Sequence, residues 1–501
     1  MKAIKFAVLL AAVFVAATCI GSAGAGSDTS APTVDLSTNQ AVTNYLTSLG
    51  IDPTGVVIQR GARNYAGPSC PGTGWTCTTS TKVVQVAQPG GQNQVACGAG
   101  ANVIPDSDLT SALTQSQVDQ LVSASALARP FSNCTALQAG GAQTNTSRCV
   151  MRDSPEPSAT QDCTIIQPGT EDDPSASNRA FVLEVADQNT GPEQHASQHA
   201  RIEQTATAGA RNFAHVIQSI KQSTKIGTAQ TQQGDQQACE SQNSQAGNEF
   251  SQVIQSLAQK ERAQGSPTQQ QNAAFEQKQC SAPAIASMAN TFAAVDQESG
   301  SGALESHVNQ SHNLDARAAN ATAGSQTQGT PPPDGGIQGK VFQNSTGTAK
   351  SFGLQNEDQN LAGNSPTITQ KQFGPLTCCA TQGSNPNDDA RIAQMSSQSA
   401  VTSSLPMGDL SSAVATPNAL QETLLQGNFE TTGDGQITHK AKQNGGSDTA
   451  SCPPGEIPTE EGVACSLTTF GVNGVFFAEF PPACGEGFFF DPTTGQCEPF
   501  D

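Results

Sequence analysis

The chain has 501 residues, a formal net charge of −20 and only 13% charged residues. This acidic balance argues against nucleic acid and anionic membrane surfaces as partners, because both are bound through basic patches. Gln, Ser, Thr, Asn and Gly abound, a composition that disordered chains share, so the spacing of residues has to decide whether the chain is ordered.

Residues 1–25 are predicted to be a secretory signal peptide of bacterial style. Lys2 and Lys5 provide the positive start, an apolar stretch runs from Phe6 to Ala17, and Ala23-Gly24-Ala25 is a small-residue cleavage site. No later stretch has the 18 or more apolar residues of a spanning helix. We therefore expect a secreted, extracellular or cell-surface protein with no membrane span.

Residues 26–66 are predicted to form a short helical N-terminal segment. Val42, Tyr45, Leu46 and Leu49 make one apolar helical face, and Gly50 is placed as its C-terminal stop.

Residues 67–190 are predicted to form disulfide-stapled repeats of strand, glycine turn and strand. The run from Cys134 through Gly140 to Cys149 is one such unit. Cys134 and Cys149 are a candidate pair across its two arms, although spacing alone leaves the connectivity open. Residues 106–128 are interpreted as an inserted helix that presents Leu109, Leu113, Leu121 and Val122.

Residues 191–450 carry a recurrent schedule of glutamines, in which one Gln is followed, after 11 to 13 intervening residues, by a pair of Gln spaced i, i+4. Leu314 and His439 stand where Gln is expected. The members are Gln204/Gln218/Gln222, Gln242/Gln255/Gln259, Gln297/Gln310/Leu314, Gln343/Gln355/Gln359, Gln382/Gln394/Gln398 and Gln426/His439/Gln443.

Stacked β-strands explain why glutamine should be the repeated residue. Strands in register lie about 4.8 Å apart, and a Gln amide has donors and an acceptor with which to bond its neighbours along the stack. We therefore predict that Gln218, Gln255, Gln355 and Gln394 are buried, whereas Gln236 and Gln269 lie on the surface. A shift of 140 residues aligns Gln232 and Cys239 with Gln372 and Cys379, and suggests a third Gln-x-Gln strand in some units.

A helical alternative remains open for part of this region. Phe213, Val216, Ile217 and Ile220 follow helical spacing, and the residues from Phe250 to Leu257 repeat it. The segment Lys340–Gly347 has no such stripe, which favours strands. The predicted fold is all-β: a repeat-built β-solenoid or stack of strand-turn-strand rungs, with a short N-terminal helix and a disulfide-rich C-terminal module.

Cysteine number favours disulfides over metal. Of 15 cysteines, removal of Cys19 with the signal leaves 15 − 1 = 14, an even number in an exported chain. Zinc is disfavoured because no Cys-x-x-Cys pair occurs. The disulfide candidates are Cys70, Cys77, Cys97, Cys134, Cys149, Cys163, Cys239, Cys280, Cys378, Cys379, Cys452, Cys465, Cys484 and Cys497.

Two family resemblances follow from these motifs. The pattern Gln88-x-Gly90-x-x-Asn93 and the run Asn212-x-Ala214-x-Val216-x-Gln218 resemble the curlin repeat of bacterial curli fibres, over about residues 85–445. This resemblance implies stacked strand-turn-strand units. In the predicted C-terminal module, residues 451–501, the segment from Cys484 to Cys497 is similar to the last part of invertebrate-type chitin-binding domains.

The sequence contains no GxSxG, P-loop or HExxH motif, and no cofactor or metal is predicted. We expect a non-enzymatic structural or adhesive protein of the cell surface or matrix. Its partner would be a further copy of itself, by stacking or fibre formation, or a surface polysaccharide. The alternative is a secreted carbohydrate-binding protein that uses the C-terminal module.

Overall fold

A computed structural model of the chain describes most of the sequence between residues 36 and 499. The described ranges are 36–98, 100–101, 104–124, 133–153, 157–170, 173–191, 193–206, 209–224, 231–244, 247–261, 270–281, 286–299, 303–317, 324–328, 339–344, 349–362, 368–381, 389–402, 414–415, 419–444, 457–458, 464–479, 488–491 and 496–499. The predicted signal peptide lies outside them.

The described residues are mainly β, which confirms the coarse prediction. The two α-helices are α1 (Asn39–Ser48) and α2 (Gln115–Ala124), and a 3-10 turn spans Asp106–Leu109. The strands are β1 (Val57–Ala66), β2 (Thr76–Thr78), β3 (Lys82–Cys97), β4 (Asn133–Asp153), β5 (Ser158–Gln167), β6 (Ser177–Gln188), β7 (Glu193–Ala206), β8 (Arg211–Thr224), β9 (Thr231–Ser244), β10 (Asn248–Glu261), β11 (Gln270–Ser281), β12 (Ala286–Glu298), β13 (Ala303–Arg317), β14 (Gly324–Gln328), β15 (Gly339–Asn344), β16 (Ala349–Ala362), β17 (Ile368–Thr381), β18 (Asp389–Thr402), β19 (Val414–Ala415), β20 (Ala419–Asn444), β21 (Ile457–Pro458), β22 (Ala464–Glu479), β23 (Phe488–Asp491) and β24 (Gln496–Pro499).

Parallel pairing in this sheet skips one strand at each step. The first series runs β5, β7, β9, β11, β13, β16, β18, and every neighbouring pair in it is parallel. The second series runs β6, β8, β10, β12, then β14 with β15, then β17. One repeat unit is therefore one strand of each series. Among the strands that the structure describes no third one is added, because β14 and β15 both pair with β12 and share the place of one strand.

The long strands β3 and β4 each hold both arms of one unit. The first half of β4 pairs with β5 and its second half with β6. Gly140 makes the turn between the halves: its φ is +92°, and a Cβ there would lie 2.3 Å from the Ala87 carbonyl oxygen. Any other residue at Gly140 would have a strained backbone and a Cβ that clashes with Ala87. The predicted glycine turn therefore has a steric cause.

Alternating inward residues from both series form one apolar core. Cys97, Cys163, Val182, Ile202 and Val216 belong to it and are almost fully buried. The helical alternative is wrong, because the segments Phe213–Ile220 and Phe250–Leu257 lie side by side in the parallel strands β8 and β10.

Helix α1 covers the outer face of the first arms. Thr38 caps it by accepting a hydrogen bond from the Ala41 N–H, and its buried Val42 and Leu46 belong to a cluster with Leu137 and Ile166. The predicted helix is confirmed, but β1 begins at Val57, so the end of the segment 26–66 is a strand.

A second cover, which we call the strap (residues 104–124), comprises the 3-10 turn and α2. Its Leu109 and Val118 are buried in a cluster with Leu183, Ile217 and Ile254 on the outer face of the second series. The predicted inserted helix is thus present in shorter form, and residues 125–128 lie outside the described part.

The C-terminal segment continues the sheet with reversed polarity. β22 runs antiparallel to β20, with Lys442 opposite Ala464 and Gln426 opposite Glu479. The predicted module 451–501 therefore contributes its longest described strand to the main sheet, and only β23 and β24 form a separate hairpin. Within the described ranges, no helix has the length and apolar character needed to cross a membrane.

Candidate functional site

The most distinctive internal feature is a column of glutamine side chains that runs through the first arms. Gln204 Nε2 donates to Gln167 Oε1 at 2.7 Å, and Gln242 Nε2 donates to Gln204 Oε1 at 2.8 Å. The same contact repeats toward the N-terminus, where each Gln donates to the preceding one. We call this the first Gln column: Gln59, Gln85, Gln138, Gln167, Gln204 and Gln242.

Each amide in this column also holds the two arms of its own unit together. The second donation from Gln204 Nε2 goes to the Phe213 carbonyl oxygen at 2.9 Å, across the turn that follows β7. Gln242 makes the equivalent bond to the Phe250 carbonyl oxygen at 2.9 Å. Both amide N–H groups are thus used, one along the stack and one across it, so burial of the amide is compensated.

Three shorter columns and one later column repeat this geometry. The second Gln column, in the second series, is Gln188, Gln222, Gln259, Gln297 and Gln343, with contacts of 2.7–2.8 Å. The others are Gln161/Gln198/Gln236, Glu184/Gln218/Gln255 and Gln310/Gln355/Gln394.

An asparagine column stands beside the first Gln column with the opposite donor direction. Asn145 Nδ2 donates to Asn178 Oδ1 at 2.8 Å, and Asn178 Nδ2 donates to Asn212 Oδ1 at 3.0 Å, toward the C-terminus. Every glutamine column donates toward the N-terminus. The full column is Asn64, Asn93, Asn145, Asn178 and Asn212. Of the motif Gln88-x-Gly90-x-x-Asn93, Asn93 belongs to this column, whereas Gln88 is exposed.

The predicted repeat residues are mostly placed in these columns. Those with described side chains are all buried: Gln204, Gln218, Gln222, Gln242, Gln255, Gln259, Gln297, Gln310, Gln343, Gln355 and Gln394. Gln382 lies outside the described residues, and the side chains of Gln359 and Gln398 lie outside the described part. Leu314 is the register partner of Gln359, and His439 that of Gln394.

The predicted glutamine schedule starts some units in the first strand series and others in the second. Gln204 and Gln242 begin their units in the first series, in β7 and β9. Gln297 and Gln343 begin theirs in the second series, in β12 and β15. The columns show a steadier period, since bonded Gln residues in the middle of the chain are 37 or 38 positions apart.

The prediction that Gln236 lies on the surface is wrong. Its side chain is 2% exposed, and its Nε2 donates to Gln198 Oε1 at 2.7 Å. Gln237, one position further along β9, has the partly exposed side chain instead. Gln269 lies outside the described residues.

A buried carboxyl group begins one column. Glu184 is fully buried, its Oε2 accepts from Gln218 Nε2 at 2.7 Å, and its Oε1 has no hydrogen-bond partner. Desolvation raises the pKa of Glu184 well above its usual range, and this outweighs the opposing effect of the Gln218 bond. The carboxyl group therefore stays neutral to a higher pH than an ordinary glutamate does.

A buried histidine anchors the strap. His215 faces outward from β8, and its Nε2 lies 2.9 Å from the Ser111 carbonyl oxygen. Its ring lies 5.2 Å from that of Phe250. Desolvation lowers the pKa of His215 to about 4, although the Ser111 bond opposes the shift. Gln252 completes the anchor, accepting from the Leu113 N–H and donating to the Leu113 carbonyl oxygen.

Two disulfides are formed among the described cysteines, Cys70–Cys77 and Cys97–Cys134. The candidate pair Cys134–Cys149 is not formed, because Cys134 is bonded to Cys97 on the preceding unit. Cys149 and Cys163 are buried thiols, and the Sγ atoms of Cys134, Cys149 and Cys163 all lie within 4.8 Å of one another.

Comparison with known proteins adds no relative. No family model matches this chain, and no curated protein or solved structure matches it.

Proposed function

We propose that the protein is an exported, non-enzymatic structural or adhesive component of the cell surface or matrix, in which the two strand series close into a curlin-like β-solenoid. The observation that carries the proposal is the set of buried amide columns, which join successive units by side-chain bonds in addition to main-chain pairing. Such ladders are typical of rigid cross-β stacks.

The expected form is a short rod. Ten parallel pairings lead from β1 through the first series to β20. At about 4.8 Å per strand this is a stack of roughly 48 Å. A rod of fixed length suits a spacer or a surface-displayed scaffold.

Export is part of the proposal, and two features support it. The sequence begins with a signal-like segment, and the structure holds two disulfides, which persist in oxidising compartments. A binding face for another copy or for surface polysaccharide would lie on the outward residues of the first series, which in β7 include His195, Ser197 and His199.

Carbohydrate binding is the alternative function, and the β23–β24 hairpin favours it. Phe488, Phe489 and Phe490 lie in one short strand of this hairpin, with Phe490 opposite Cys497. Aromatic residues on this hairpin would be available to stack on sugar rings.

Electron microscopy and small-angle scattering of the secreted, mature protein test the structural proposal. We expect elongated single particles or filaments and a far-ultraviolet spectrum dominated by β signal. Globular particles would contradict the solenoid. Retention on insoluble polysaccharide that is lost when residues 480–501 are deleted would favour the alternative.

A further inference from the structure

The core contains four cysteines that lie in three successive units of the stack. Cys97 and Cys149 are register partners in β3 and β4, and Cys134 and Cys163 are register partners in β4 and β5. All four are buried in the same apolar cluster. One unit further along, Val182 takes the place of Cys149 and Ala200 takes the place of Cys163. A diagonal pair of cysteines, one in each of two adjacent units, therefore occurs twice before it gives way to Val182 and Ala200.

The observed disulfide defines one geometric step. Cys97–Cys134 joins the second arm of one unit to the first arm of the next, with a Cα–Cα distance of 6.2 Å. Moving both residues one level along the stack gives Cys149 and Cys163. Since parallel strands in register translate together, this second pair has about the same separation, which lies within the range that disulfides span.

We propose that Cys149 and Cys163 form a second disulfide that repeats the Cys97–Cys134 bond one level further along. Three successive units are then covalently stapled through the core. In the described structure, the Sγ atoms of Cys149 and Cys163 already lie within 4.8 Å of each other.

Because Cys97 and Cys134 are already bonded, this pairing is the one that uses all four sulfurs. A Cys134–Cys149 bond would leave Cys97 and Cys163, which are two levels apart, without a reachable partner. A metal is disfavoured for a similar reason. With Cys134 engaged in its disulfide, only two cysteine sulfurs of the cluster remain, whereas structural zinc takes four ligands.

The bond forms by exchange with an external disulfide, either a small molecule or a redox protein. The Cys149 and Cys163 thiols lose two protons and two electrons, the new S–S bond forms, and the external disulfide is reduced to two thiols. Burial raises the pKa of both thiols and excludes the reagent. We therefore place the exchange before the strands close over the core.

Tryptic mapping separates the possible pairings. Cleavage after Lys82, Arg148, Arg152 and Arg179 puts Cys97 and Cys134 in one peptide, since Arg129 precedes Pro130 and is cut poorly. Cys149 falls in the peptide 149–152 and Cys163 in 153–179. The full-length protein would be secreted, alkylated in denaturant without reductant, and digested.

We expect peptide 149–152 linked to 153–179. Peptide 149–152 linked to 83–148 would establish the Cys134–Cys149 pairing and overturn the proposal. Alkylation of both Cys149 and Cys163 would also overturn it, as would a zinc ion whose removal by a chelator makes them alkylatable.

Thermal unfolding without reductant provides a second measurement. Cys149→Ala, Cys163→Ala and the double variant should each lower Tm by the same amount, on the order of 5 °C, because either single change already breaks the bond. If the two single-variant decreases in Tm add up in the double variant, Cys149 and Cys163 are independent thiols and the proposal is wrong. Cys239→Ala is the control for removal of a buried sulfur outside the cluster.

Discussion

At the residue scale, glutamines in neighbouring strands of the same series differ in whether their side chains belong to a buried amide column. Gln204 bonds in both directions, donating to Gln167 and accepting from Gln242. Gln237 lies in the same series, but its side chain faces outward and is partly exposed. A Gln→Leu substitution at these two positions should therefore change the free energy of unfolding by different amounts.

Gln204→Leu should lower the free energy of unfolding by on the order of 1–3 kcal/mol, since it leaves a buried acceptor on Gln167 and a buried donor on Gln242 unpaired. Gln237→Leu should change it by about half a kcal/mol or less. Urea unfolding checks both. Equal effects would show that the column bonds contribute little to stability.

Glu184 offers a substitution that should stabilise. Glu184→Gln replaces a buried carboxyl by the amide that continues the column, and Gln218 keeps an acceptor. Because the raised pKa of Glu184 makes the carboxyl favourable only at low pH, its penalty grows as the pH rises above the unfolded-state value of about 4.3.

At pH 7 we expect Glu184→Gln to raise the free energy of unfolding by about 1–3 kcal/mol. The gain should shrink toward pH 4. Thermal unfolding at both pH values measures it, with Glu203→Gln, a half-buried position on β7, as the matched control. A gain that is independent of pH would contradict the buried-carboxyl explanation.

At the scale of elements, the strap explains why two strands imitate a helix in the sequence. Val216 and Ile220 of β8 face the core, whereas Ile217 faces outward and is covered by the strap. A strand buried on both faces has apolar residues at successive positions, and such a run matches helical spacing by coincidence. Only knowledge that the strap lies over β8 removes the ambiguity.

The strap should loosen in acid through His215. Its pKa of about 4 in the fold is below the unfolded value of about 6.5, so the unfolded chain binds more protons between these values and stability falls as the pH drops through this window. From pH 7 to pH 4.5 this group should account for about 2–3 kcal/mol. Hydrogen exchange in residues 106–122 should rise as well.

His215→Gln provides the comparison, because it removes the titrating group while Asp106, Arg148 and Arg179 at the same interface stay unchanged. The pH-dependent loss should be smaller in this variant by the stated amount. An identical acid response in both proteins would exclude His215 as its source.

Much of the candidate site could be predicted from spacing, and the failures have physical causes. The glutamine schedule located buried amides because an in-register column needs the same residue at each level. The schedule gave Gln242 of the first series and Gln297 of the second the same place in the repeat, because both series carry a Gln column. Gln236 was misplaced because β9 is rich in Gln on both faces, so polarity does not mark the inward side. Burial of Glu184 and His215 depends on tertiary cover that no local pattern records.

At the scale of the whole molecule, β22 covers the edge of β20, the last strand of the parallel stack. Its antiparallel pairing with β20 occupies main-chain groups that a further parallel strand would use. Exposed strand edges promote association between chains. We therefore expect the C-terminal segment to limit stacking of one copy on another.

Deletion of residues 451–501 should make the protein self-associate, because it exposes the β20 edge. Deletion of residues 480–501 keeps β22 and is the matched control, which should remain as dispersed as the full chain. Light scattering over time at increasing protein concentration measures the difference. Two equally dispersed truncations would mean that β22 has no such role.

The Gln and Asn columns donate their hydrogen bonds in opposite directions along the stack. The two ends of any level therefore carry different sets of donors and acceptors, which gives the stack a polarity. In the levels that carry both columns, the C-terminal side offers Gln oxygens that accept and Asn amides that donate. A strand pair arriving in the same orientation presents the complementary groups, whereas a reversed or shifted pair brings donor against donor. Each completed level thus acts as a template that checks polarity and register in the next. Assembly errors would be rejected one level at a time as the chain folds from its N-terminal end.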